Sequence, residues 1–74
     1  MQSKEVIIHK LTERITQLKP EVTAEDRRKA AKELEIDIMT VMRYLQGCVK
    51  KVDTGTKLLK FLQTRIKERN EILA

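Results

Sequence analysis

The chain has 74 residues, with sixteen Lys and Arg against eleven Asp and Glu and a formal net charge of +5. That length supports one small domain: chains of about 60 residues bury only about 60% of the surface their unfolded form exposes, which excludes a large enclosed pocket. The basic balance suits an acidic partner without naming one. Cys48 is the sole cysteine, so no internal disulfide can form and a reducing, cytoplasmic setting is expected. The apolar run Val6 to Ile8 near the N-terminus is far shorter than a signal-peptide core or the roughly 20 residues of a membrane span. A soluble chain that is not exported and has no membrane partner is expected.

In chain order, the first predicted helix covers residues 3–18. Its apolar positions Ile7, Ile8, Leu11, Ile15 and Leu18 recur at helical spacing between charged residues, and Pro20 ends it because its ring disfavours helical geometry at Lys19. A second helix is predicted over 24–34. Thr23 can accept from the first-turn amides, and Glu21, Glu25 and Asp26 sit near the positive end of the dipole. Arg27, Arg28, Lys29 and Lys32 load its outer face, leaving Ala30, Ala31 and Leu34 for the core. Small residues there let another helix cross closely.

Asp37 is a good cap for a third helix over 38–46. At about 100° per residue, Ile38, Val41, Tyr44 and Leu45 fall on one side and Met39, Arg43 and Gln46 on the other. Gly47 closes this helix in the left-handed conformation. A loop over 48–52 exposes Lys50 and Lys51, with Val52 tucked back as an anchor. Asp53 then caps a fourth helix over 54–72, with a stripe of Leu58, Leu59, Leu62, Ile66 and Leu73 widened by Phe61. Gly55 in its first turn costs of order 1 kcal/mol relative to Ala. The expected fold is all-α, a small single domain of four helices spanning 1–74 with no linker and no repeat.

Little in the chain suggests chemistry. His9 and Cys48 stand alone, whereas a metal needs several converging ligands. No Ser or Cys has a context that suggests a paired base, and no Gly-rich phosphate loop is present. The expectation is therefore no enzyme, metal, cofactor or small-molecule ligand.

The stretch Ala31 to Gly47 resembles the helix-turn-helix of the lactose-repressor headpiece family and, more loosely, the phage-repressor-like family. Ala31 matches the alanine in the middle of the family's first helix, Ile36 the aliphatic after the turn, and Asp37 replaces the family's capping serine. Thr40-Val41 and Arg43 follow at the family's spacing, and Val52 to Thr56 is similar to the segment opening its next helix. The likeness covers roughly a third to a half of the chain, and Thr-Val-x-Arg alone is a weak signal. Two positions depart from the pattern. Glu35 stands where the family has Gly, which implies a left-handed residue at a cost of roughly 1 to 2 kcal/mol. Ile38 and Met39 stand where the family presents polar reading groups, and apolar tips meet thymine methyls without forming bidentate hydrogen bonds.

The resemblance implies a double-stranded DNA partner and a small transcriptional regulator, repressor-like, with helix 38–46 in the major groove. Base reading would fall to Arg43 on guanine and Gln46 on adenine, with Met39 and Ile38 as apolar contacts. Arg28, Thr40, Lys50 and Lys51 would hold phosphates, and four such contacts imply a salt slope of about −3.6, at about −0.9 per phosphate.

Other readings of the same residues stay open. The cations of helix two can be a solvated face paired with neighbouring acids. Arg43 can pair with Asp37 or Gln46, and Tyr44 is better suited to core or rim than to stacking a base, with only one other aromatic in the chain. Ile38, Met39 and Met42 can instead form an apolar patch for a protein partner. The surplus stripe at Ile72 and Leu73 can serve a homodimer through helix 54–72, or it can fold back on helix one.

Overall fold

A computed structural model describes residues 3–73. It contains four α-helices, α1 (Lys4–Leu18), α2 (Ala24–Glu33), α3 (Ile38–Leu45) and α4 (Val52–Leu73), with a 3-10 turn at Lys19–Glu21 and no strand among the described residues. The all-α expectation holds, and no described helix is long and apolar enough to cross a membrane.

Local chemistry explains most boundaries. Ser3 accepts from the Val6 amide at 3.3 Å and starts α1, and Pro20 falls in the 3-10 turn that follows it. Thr23 and Asp26 form a reciprocal cap: the Asp26 amide donates to Thr23 Oγ1 at 3.1 Å, and the Thr23 amide donates to Asp26 Oδ2 at 3.0 Å. Asp37 Oδ1 accepts from the Met39 amide at 2.7 Å and starts α3.

The core lies where α4 runs along α1 and the α2–α3 pair closes over them. Ile15, Val41, Leu58 and Leu62 are fully buried there, and burying an aliphatic side chain of this size contributes about 1.5–3 kcal/mol. Gly55 makes the close approach possible. A Cβ at that position would lie 3.2 Å from Val49 Cγ1 and 3.3 Å from Leu11 Cδ1, so the missing side chain admits both neighbours to the start of α4.

Several expectations need correction. α4 begins at Val52 rather than residue 54, so Asp53 lies in its first turn and does not cap it. The Gly55 amide closes that turn on the Lys51 carbonyl at 2.9 Å. Val52, now in the first turn of α4, is half-buried and packs against the core as expected, and Val49, which was not singled out, is the more deeply buried anchor. Ile38 falls by angle on the side of α3 that carries Val41 and Tyr44, yet it is 38% exposed: side chains lean toward a helix's N-terminus, so the first residue of α3 leans past its end. Leu73 continues the period of the α4 stripe but is uncovered, as is Ile72, because α4 outruns the helices packed against it. Neither residue folds back on α1.

Candidate nucleic-acid interface

Two turns with left-handed caps set the position of α3. After α2, Glu35 has φ 54°, the Glu35 amide donates to the Lys32 carbonyl at 3.3 Å, and the Ile36 amide donates to the Ala31 carbonyl at 3.0 Å. After α3, Gly47 has φ 102°, its amide donates to the Tyr44 carbonyl at 3.1 Å, and the Cys48 amide donates to the Arg43 carbonyl at 2.9 Å. Both turns satisfy the last carbonyls of their helix in the same way, one with glycine and one with a strained glutamate. The backbone of α3 is therefore held at both ends.

Val41, Tyr44 and Leu45 are the buried face of α3, which turns Met39, Arg43 and Gln46 outward at spacings of four and three. Met39 is 51% exposed, and Arg43 and Gln46 are also exposed. The following loop is drawn against the same helix: the Tyr44 hydroxyl accepts from the Lys51 amide at 3.0 Å while Val49 is buried between the helices. The backbone at Lys50 and Lys51 is consequently held beside α3, with both residues exposed. An open cleft of about 300 Å³ results, with Asp37, Thr40, Arg43, Lys50, Lys51 and Thr54 among its walls, so three cations and one carboxylate line it.

The expected site residues thus fall into distinct groups. Thr40, Arg43, Lys50 and Lys51 come together around the cleft. Gln46 lies on the other flank of α3, in a shallow recess shared with Lys19, Arg27 and Met42. Ile38 and Met39 occupy the exposed start of α3, and Arg28 is exposed on α2 and lines neither recess.

Among the described residues, Arg28, Arg43, Lys50 and Lys51 have no carboxylate in ion-pair range. Arg43 does not pair with Asp37, whose oxygen is engaged by the Met39 amide. The local ion pair found on α2 is Lys29 with Glu25, at 3.4 Å and exposed.

Sequence reasoning missed the second charged centre. Asp26, expected only as a first-turn acid, is fully buried beneath α4. Arg65 Nε donates to its Oδ1 at 2.7 Å. Arg69 Nη1 donates to Oδ2 at 3.1 Å and to Oδ1 at 3.3 Å, while Arg69 Nη2 donates to the Glu21 carbonyl at 2.7 Å. Burial pushes the Asp26 carboxyl up, but the Thr23 amide and then Arg65 and Arg69 outweigh it and lower the pKa to about 2. Arg65 also lies 5.9 Å from the centre of the Phe61 ring. This cluster staples α2 to α4. Its signal was the pair of arginines one turn apart that interrupts the apolar stripe of α4.

Compared with protein-family models, with curated proteins and with solved structures, the chain matches none.

Proposed function

We propose that the chain binds double-stranded DNA with sequence preference, as a small cytoplasmic transcriptional regulator, with α3 entering the major groove. One observation carries this reading: the outward face Met39–Arg43–Gln46 is exposed, and three cations that form no ion pair among the described residues, Arg43, Lys50 and Lys51, outnumber the single carboxylate, Asp37, in the cleft beside it. In this reading Arg43 and Gln46 meet base edges and Met39 and Ile38 meet thymine methyls. Thr40, Lys50, Lys51 and Arg28 hold phosphates, which position the helix without reading sequence. A single α3 spans few base pairs, so two copies on a two-fold site would add discrimination. No catalytic group or cofactor enters this function.

The test is selection of duplexes from a random pool at stated salt, followed by titration of variants on selected and random DNA. Arg43→Ala should weaken the selected duplex by about 1 to 3 kcal/mol and relax its preference, while Lys50→Ala and Lys51→Ala weaken all duplexes alike. Equal losses for Arg43→Ala on both duplexes would remove its reading role.

A second reading has its own support. Ile38, Met39 and Met42 are 38%, 51% and 37% exposed at the start of α3, a patch that also suits an apolar surface on a protein partner. A pool that yields no enriched duplex, together with partner binding abolished by Met39→Lys, would favour it.

A further inference from the structure

The end of α4 extends beyond the body of the molecule. Asn70 to Leu73 are all exposed, and Ile72 and Leu73, at 82% and 77%, are the most exposed of the large apolar side chains described. At about 100° per residue, Leu73 continues the side of α4 that carries Leu62 and Ile66, yet α1 has already ended at Leu18. Alongside lies an open groove of about 410 Å³, chiefly apolar, walled by Leu18, Gln63, Ile66, Lys67, Asn70 and Glu71.

We infer that this groove seats a second copy of the chain, with the two α4 ends crossing antiparallel about a two-fold axis near Asn70. Leu73 of each copy then covers Leu18 and Ile66 of the other, and Lys67 meets the partner's Glu71. The occupant is chosen by charge. Lys67 and Glu71 are the only charged residues of the groove, they have opposite signs, and they lie one turn apart. A two-fold axis between them reverses their order, so each cation faces an anion, twice per pair.

Neither residue has an oppositely charged side chain in ion-pair range within its own chain among the described residues. The groove across the helix, which Ile72 and Leu73 line themselves, lacks this property: its arginines, Arg65 and Arg69, are already closed on Asp26, which leaves Glu25 and Glu68 as its other charged walls. Two helix ends bury less than the roughly 800 Å² per partner of a standard interface, so the pairing is weak and concentration-dependent.

The inference deepens the two-copy part of the proposed function, but it can be tested on the free protein. Sedimentation equilibrium of the full chain without DNA, from about 10 μM to about 1 mM, should show the mass rising from one copy toward two. Lys67→Glu sets like charges across the axis and should weaken association by about tenfold or more. Lys67→Glu with Glu71→Lys in the same chain restores opposite signs and should recover it. Leu73→Lys should also weaken pairing, with helix content unchanged because the side chain is exposed.

A chain that stays single at every concentration, a pair indifferent to both Lys67→Glu and Leu73→Lys, or a double exchange that fails to recover would each overturn the inference. A single-copy chain that still prefers selected duplexes would sink the pairing and leave the DNA reading standing. A pair with no duplex preference would do the reverse.

Discussion

The two ends of this molecule use the same residue types in opposite circumstances. Arg65 and Arg69 close on a fully buried carboxylate, and Arg69 also spends a donor on the Glu21 carbonyl. Arg43, Lys50 and Lys51 surround an open cleft that also holds Asp37, yet none of the three forms an ion pair among the described residues. A guanidinium whose donors are satisfied inside the fold stabilises that fold and offers little to a ligand. One that faces water with no partner does the opposite. The formal charge of +5 therefore says less about binding than the distribution of partners does.

The largest expected effect breaks the closed end. Asp26→Ala leaves two partly buried guanidiniums without their anion and also removes half of the reciprocal cap with Thr23. Removing one member of a buried ion pair costs about 3–5 kcal/mol, and the partial exposure of both arginines puts the expected loss at about 3 kcal/mol. Urea denaturation monitored by helix content measures it. A loss below about 1 kcal/mol would show that the arginines are adequately solvated without Asp26.

A smaller effect comes from pH. The folded pKa of Asp26, about 2, lies below the ordinary 3.8, so its charged form stabilises the fold. This contribution is fully present above the unfolded value and is lost as pH falls from about 4 through about 2. At about 1.4 kcal/mol per unit it amounts to about 2.5 kcal/mol. Subtracting the stability curve of Asp26→Asn from that of the unaltered chain should isolate a decline confined to that window. A flat difference would mean that the Thr23 amide and the two arginines together do not favour the charged carboxylate over burial.

What could be read in advance follows the range of the interactions. Thr23, Asp37 and Gly47 mark helix ends through bonds within a few residues, and the periods of α1 and α3 report their buried faces directly. These features were legible because each is local. Asp26 with Arg65 and Arg69 joins positions 39 and 43 residues apart, and no local period encodes that meeting. Asp26 looked like a first-turn acid because it is also one.

The start of α4 was displaced for a related reason. Asp53 carries a capping residue's signature, whereas the turn is closed through the Lys51 backbone, which has no side-chain signature. At the candidate interface, the outward face of α3 was legible from its period. The convergence of Lys50 and Lys51 on Arg43 was not, since it depends on Tyr44 holding the Lys51 amide and on Val49 being buried.

The smallest expected effect on stability belongs to the open end, and its smallness sharpens the contrast. Arg43→Ala, Lys50→Ala and Lys51→Ala remove exposed side chains that have no ion-pair partner among the described residues, so each should change unfolding free energy by less than about 0.5 kcal/mol. The same substitutions bear differently on a polyanion. Deleting a cation that neutralises one phosphate should reduce the salt slope of duplex binding by about 1, so Lys50→Ala and Lys51→Ala together should remove about 2. Denaturation and a salt series on the same variants separate the two roles. Cations that cost nothing to delete from the fold but flatten the salt dependence belong to a ligand. If Lys50→Ala instead destabilised the chain as Asp26→Ala does, the loop would be a structural brace and the distinction between the two ends would collapse.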